Sequence, residues 1–377
     1  MSLRIVLAGM VASVPGHGGA TWAALQYALG LRELGHDVLL VDQAREAGDV
    51  ALQAARERAF AEVVDEFGLE GHAALLTGLR RTLGVSFADA QAFAARADLL
   101  VNLAGTLRDP ELLEAAPRRL LVDLDPAFTQ IWHAIEGIDM GIAAHDRFAS
   151  VGLRLHAPEC GVPDCGVRWA PALPPVVLSR WPGAAAPPSE GVTLIANWRS
   201  YGTLERDGLR LGQKAHSVRS LIDLPRRTSE PLRFALAIDP GEARDLDALR
   251  AHGWELLDAA RETGTPDAYA RFVRASATEL GIAKEGYVVS RCGWFSDRSA
   301  CYLASGRPVV AQRTGWERVL GEGEGVLGFD GADEASEALA AVRAQPARHA
   351  AAARELAVER LDARRVLSEL VEGALDG

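Results

Sequence analysis

The feature that most restricts the fold of this chain lies in its first 43 residues. Arg4 to Met10 contains the apolar run Ile5-Val6-Leu7, the pattern of a strand buried on both faces. A turn with Pro15, Gly16, Gly18 and Gly19 follows. From Thr21 the spacing becomes helical, with Trp22, Leu25, Leu29 and Leu34 available to one broad face. Gly35 ends that helix, and Asp37 to Asp42 reads as a second strand. Strand, glycine loop, helix and strand in so short a span form a βαβ unit, and hence a parallel sheet.

The alternation continues. Asp98 to Ala104, Arg119 to Leu124 and Phe148 to Leu153 read as strands, with helical stretches near 51–67 and 111–116. Between 171 and 190 lie six of the 18 prolines, a density that excludes helix and central strand. A second alternation follows. Val192 to Ala196, Phe234 to Ile238, Tyr287 to Ser290 and Arg307 to Gln312 are expected as strands, and Asp267 to Leu280 and Ser299 to Ser305 as helices. Arg348 to Glu372 reads as one long helix. A chain of 377 residues exceeds one ordinary hydrophobic core. The expectation is therefore an α/β protein with two Rossmann-like domains facing each other across a cleft. Residues 1–178 form the first, 179–190 the linker, 191–347 the second, and 348–377 a C-terminal helix.

Charge narrows the partners. With 51 acidic and 40 basic side chains the net charge is -11, which argues against nucleic acid or an anionic membrane surface as partner. No stretch of 18 apolar residues is present, the apolar run at the N-terminus is too short for a secretory signal, and four cysteines make no disulfide framework. A cytoplasmic protein without a membrane span is expected, its oligomeric state left open. Of the basic residues, only Lys214 and Lys284 are lysine.

Several constellations bear on chemistry. Gly16 to Thr21 would let a ligand approach the backbone, with Gly18 and Gly19 at the helix start. The strict dinucleotide pattern fails at Thr21, although Asp42 imitates the acidic ribose-binding residue. His17 in this loop is a candidate general base, against the plainer reading of a loop histidine. Asp123-Leu124-Asp125 resembles a metal-holding D-x-D pair, but Asp125 as N-cap before Pro126 explains it without a metal. Asp125, Trp132 and His133 remain candidates for the cleft. His156, Cys160 and Cys165 lack a fourth zinc ligand.

The second half carries sharper signals. Residues 197–227 hold seven basic residues (Arg199, Arg206, Arg210, Lys214, Arg219, Arg226, Arg227) against Glu205, Asp207 and Asp223. They follow a strand, where ligands of open α/β sheets collect. In a second block, Gly286 to Arg318, the loop Ser290 to Ser299 leads into a helix and would offer N–H and hydroxyl donors to an anion. Glu317, beyond the next strand, is placed to grip vicinal hydroxyls.

Together these residues resemble the nucleotide-sugar glycosyltransferases of the GT-B fold. The likeness rests on the glycine-loop unit ending at Leu34-Gly35-His36-Asp37-Val38, on Arg199 and Lys214, on Phe295 to Ala311, and on the final helix. It implies a hexosyltransferase-type enzyme that moves a sugar from a nucleoside diphosphate to a small-molecule acceptor, with no cofactor and no metal. It implies Arg199, Lys214, Ser296, Arg298 and Ser299 at the donor diphosphate, and Asp297, Glu317 and Lys284 at the nucleoside. Acceptor or sugar contacts fall to Gly18, Gly19, Trp132 and His133, with His17 and Asp125 catalytic. Where retaining members carry a ribose-holding Glu this chain has Cys301, which leaves Asp297 or Glu317 for that role. A nucleotide-sugar epimerase, or a catalytically silent nucleotide-sugar binder, are the alternatives on the same scaffold.

Overall fold

The computed structural model describes residues 2–44, 48–78, 81–183, 188–206 and 209–376. Asp207 of the basic block and positions 184–187 of the expected linker lie outside the described residues.

Two sheets organise the chain. The first takes β1 (Arg4–Ala8), β2 (Asp37–Ala44), β3 (Ala73–Thr77), β4 (Arg81–Gly84), β5 (Leu99–Leu103), β6 (Arg119–Asp123), β7 (Arg147–Ser150) and β8 (Ala170–Pro171). Their order is β4-β3-β2-β1-β5-β6-β7-β8, parallel except for the antiparallel edge strand β4. After β9 (Val192–Asn197) comes a separate hairpin of β10 (Leu204–Arg206) and β11 (Leu209–Leu211). The second sheet continues with β12 (Leu232–Ala237), β13 (Glu255–Asp258), β14 (Thr278–Gly281), β15 (Val309–Gln312) and β16 (Val326–Phe329). It is parallel throughout, in the order β13-β12-β9-β14-β15-β16. Each sheet grows one way from its first strand and then the other. Each therefore has a switch point, between β1 and β5 and between β9 and β14, where the loops diverge and leave a crevice.

Ile5, Leu7, Leu40, Leu75, Leu99 and Val101 are buried in the first core, as the continuous apolar runs require. Leu194, Phe234, Leu280, Val310 and Phe329 do the same in the second. The C-terminal segment crosses back to the first domain. Helix Pro346–Leu356 passes through a π-turn at Ala357–Leu361, and helix Ala363–Asp376 then lies on helix Gly18–Glu33. Gly30 permits that contact, because a Cβ there would stand closer than 3.0 Å to Ala363 and Leu367.

Three expectations of secondary structure are corrected. The helix expected over 267–280 ends at Ala275, and Thr278–Gly281 is the central strand β14. Pairing with β9 and β15 overrides the helical spacing of this Ala-rich segment. Tyr287 to Ser290 is not a strand but part of helix Glu285–Ser290. A strand would send Lys284 and Tyr287 to opposite faces, whereas both side chains reach one carboxylate. The long terminal helix is broken at Asp362.

Candidate functional site

At the switch point of the second sheet, three charged side chains converge. Glu279 projects from β14 and is fully buried. One of its oxygens accepts from Arg298 Nε at 2.5 Å, while Arg298 Nη1 donates to the Ile195 carbonyl of β9 at 3.0 Å. The other oxygen of Glu279 is buried and has no hydrogen-bond partner among the described residues. Lys214 opens helix Lys214–Ser220, half-buried, and feels both of these charges. Burial first, and the Arg298 guanidinium second, hold its ammonium well below the ordinary lysine value. Among the described residues it forms no hydrogen bond and no ion pair.

The rest of the basic block behaves differently. Arg199 pairs with Glu242 at 2.5 Å, Arg210 with Glu205, Arg219 with Asp245, Arg226 with Asp223 and Arg227 with Asp333. Their charge is balanced at the surface by carboxylates, several of them distant in sequence. Arg199 and Arg298 were both expected with Lys214 at a diphosphate; the charge of Arg298 acts on Lys214, whereas the exposed Arg199 turns to Glu242.

Arg298 owes its position to the start of helix Asp297–Ala304, where Ser296 Oγ accepts from Arg298 N at 3.2 Å as an N-cap. Gly306, in the left-handed region at φ 66°, lets the chain leave the helix for β15. Ser296, Ser299 and Arg298 line a small recess together with Gly281, Gln312 and Trp316. Glu317 lies outside that recess and holds its own loop, accepting from Gly315 N at 3.0 Å.

Asp297 points the other way. It lines a cavity of about 230 Å³ at the switch point of the first sheet, between the end of β5, helix Gly18–Glu33 and the loop carrying Trp294 and Phe295. The residue is exposed toward this cavity, and partial desolvation pushes its pKa up against the pull of Arg298. Cys301, one turn further on, is buried and accepts from Gln26 Nε2 of the first domain at 3.4 Å. Burial and then the Asp297 charge hold its thiol in the protonated state.

Asp125 is a correction. The helix after β6 begins at Phe128, so Asp125 is not its N-cap. Its carboxylate instead receives Lys284 Nζ at 2.9 and 3.0 Å, Tyr201 Oη at 2.5 Å and Tyr287 Oη at 2.5 Å. Lys284 also lies 4.5 Å from the Tyr201 ring centroid and 5.0 Å from that of Phe128. Asp125 and Lys284, expected at separate tasks, thus form one cross-domain clasp. Trp132 joins it by an edge contact with Tyr201 at 4.4 Å. His133 stands next to Trp132, half-buried, and its Nδ1 has no partner among the described residues. Neither residue lines the cavity.

The glycine loop is a second correction. A Cβ on Gly18 would stand closer than 3.0 Å to the carbonyl oxygens of Thr263 and Thr265, and one on Gly19 would meet the Tyr269 ring at 3.0 Å. What approaches these glycines is the second domain's own backbone and ring. His17 occupies the N-cap position of the helix, half-buried, with no side-chain capping bond, and does not line the cavity. Asp42 does not await a ribose. Its Oδ2 accepts from the backbone N–H groups of Val11, Ala12 and Ser13 at 2.7–2.9 Å. Asp123 has both oxygens engaged, by Asp125 N, Thr129, Gln130 and Ser150. Among the described residues no cluster of His, Cys, Asp and Glu is arranged to hold a metal, and no helix is long and apolar enough to cross a membrane. Cys160 and Cys165 are free thiols, and His156 Nε2 accepts from Trp169 N.

Glu279 is the residue that sequence reasoning missed. Its only local signal is a carboxylate inside an apolar segment, which a helical reading places at the surface.

No protein-family model matches the chain, and no curated protein sequence does. Solved structures are similar to it. An alpha-glucosyltransferase in complex with UDP and a 13-mer DNA containing an HMU base has a TM-score of 0.63 at 12% identity, over 99% of this chain and 100% of that one. A glycosyltransferase involved in avilamycin A biosynthesis has a TM-score of 0.55 at 15% identity, over 99% and 97%. HepE from Anabaena, in complex with UDP and glucose, has a TM-score of 0.58 at 13% identity, over 98% and 99%. At these identities the likeness is one of fold, and the fold of the chain is GT-B.

Proposed function

We propose that the protein transfers a sugar from a nucleoside diphosphate sugar to a small acceptor held between its domains. The observation that carries this reading is Lys214, a half-buried lysine near a second cation and with no ion-pair partner among the described residues. Such a group is costly to bury unless an anion completes it. A diphosphate supplies that anion, and Arg298, already steered by Glu279, supplies the adjacent fork of donors. Relatives in fold hold UDP, which supports a nucleotide as the bearer of the diphosphate.

The chemistry follows from the charges. The bond between the anomeric carbon and the phosphate oxygen breaks, and its electron pair leaves with the diphosphate. The acceptor oxygen bonds to the carbon and loses its proton. Lys214 and Arg298, fixed before reaction, stabilise the departing charge without reorganising. Their two positive charges are the basis for reading the transfer as metal-independent. The similar alpha-glucosyltransferase is in complex with DNA, but a net charge of -11 argues against DNA as acceptor here. A cytoplasmic location is part of the same reading.

Thermal unfolding with UDP tests the donor site. UDP at 100 times its Kd should raise stability by roughly 2.7 kcal/mol in the unaltered protein. No shift with UDP or any other nucleoside diphosphate would overturn the assignment.

A further inference from the structure

The cavity beside Asp297 differs from the cation site in composition. Its wall is mostly apolar, with Met10, Leu103, Val151, Pro174, Trp294 and Phe295 among the residues that form it. Few polar groups reach it. Gln26 has both ends of its amide engaged, by Val177 N at 2.7 Å and by Cys301 Sγ at 3.4 Å. The phenol of Tyr27 stays protonated through burial and then through the nearby Asp297 charge, so it faces a ligand as a donor. Thr106 Oγ1 is buried without a hydrogen-bond partner among the described residues. An orphaned hydroxyl in the wall of a cavity is itself a sign of a missing polar partner.

From this geometry we infer that the acceptor is a small, largely apolar alcohol or phenol, seated in the 230 Å³ cavity with its hydroxyl on Asp297. This rests on the donor-site reading above and adds the substrate class. An apolar cavity of about 150 Å³ accommodates benzene, so this one has room for a fused or substituted ring. A monosaccharide fits the wall poorly. It would bury several hydroxyls against three polar groups, and each unpaired one costs about 1–3 kcal/mol.

Asp297 and Arg298 are successive residues of one helix start, facing the cavity and the cation site respectively. That adjacency gives the step its geometry. The acceptor oxygen bonds to the anomeric carbon and its proton passes to the Asp297 carboxylate. The phosphate oxygen takes the electron pair of the broken bond toward Arg298 and Lys214. Asp297 is the carboxylate in the cavity wall, placed to take that proton.

The experiment is calorimetric binding of 2-naphthol, with glucose in parallel, to protein saturated with UDP. Ala23→Phe fills the cavity from helix Gly18–Glu33, and Thr106→Val removes the orphaned hydroxyl without changing its shape. Expected are 2-naphthol binding to the unaltered protein, at least a tenfold loss in Ala23→Phe, and a smaller loss in Thr106→Val. UDP affinity should stay within twofold in both variants. With UDP-sugar and 2-naphthol, Asp297→Asn should lower turnover by roughly 10²–10⁴-fold with UDP affinity kept. Equal 2-naphthol affinity in all three proteins, or glucose binding in its place, would overturn the acceptor class. Failure of the unaltered protein to bind UDP would instead overturn the donor reading.

Discussion

Lys284 and Asp125 are 159 positions apart in the chain, and the ammonium of one lies within 3.0 Å of both carboxylate oxygens of the other. They join the second domain to the first. Because both side chains are only 17% and 25% exposed, removing one leaves the other charged and poorly solvated. Asp125→Asn should cost about 1–3 kcal/mol by denaturant unfolding. The double variant Asp125→Asn with Lys284→Met should cost less than Asp125→Asn alone.

The same clasp contains two of the chain's five tyrosines, and all five share one property. Burial, as the leading cause, holds the phenols of Tyr27, Tyr201, Tyr269, Tyr287 and Tyr302 above their ordinary value of 10.0. The folded protein therefore retains protons that the unfolded chain releases near pH 10. This contribution to stability is whole below that pH and is lost as pH rises past it. Tyrosinate absorbance should stay flat through pH 10 and then rise together with the loss of helical circular dichroism. A normal phenol titration in the folded protein would contradict this.

At Lys214 the sign is opposite. Its folded pKa is lowered from the ordinary lysine value of 10.5, so the unfolded chain binds the proton more tightly and the lysine opposes folding below that pH. The opposition fades as pH rises toward 10.5. Lys214→Met should leave the free protein at least as stable, yet weaken UDP binding by about 2–5 kcal/mol. Binding should also draw in protons. Calorimetry in two buffers of different ionisation enthalpy should show that uptake in the unaltered protein and not in the variant.

Glu279 is fully buried and Arg298 13% exposed, so their pair behaves as an interior one. Glu279→Gln should destabilise the protein by about 3–5 kcal/mol and lower UDP affinity, because the guanidinium is left without its carboxylate. Urea unfolding and UDP titration read the two effects separately.

Gly18→Ala introduces a methyl group into the carbonyl oxygens of Thr263 and Thr265. Overpacking of this kind costs about 1–3 kcal/mol. The methyl lies between the domains, so scattering should also show a larger radius of gyration. An unchanged radius and melting temperature would show that the contact is slack.

The first βαβ unit and the stretch from Gly306 to Ala311 were legible in the sequence because their signals are local: continuous apolar runs, a glycine loop, a helix stop. Lys214 stood out as one of two lysines. Arg199 and Arg298 could not be told apart, since which arginine is neutralised depends on Glu242, at a helix start, and Glu279, on β14, both distant in sequence. Gly18 and Gly19 carried a true signal of close approach, but sequence does not say whether phosphate or polypeptide approaches. Asp125 was misassigned because its partners, Tyr201, Lys284 and Tyr287, all belong to the other domain.

Asp42 bears on more than its own loop. By meeting three amides of the first glycine loop it places a negative charge where an external phosphate would otherwise sit. Two lobes with the same core strand order, the first extended at both edges, are thereby made unequal: one already carries its anion, the other holds cations with room for one. On the donor reading proposed above, a nucleotide entering the cleft would be repelled by one wall and attracted by the other. On that reading the repeated architecture would bind in a single sense, with polarity written in one aspartate.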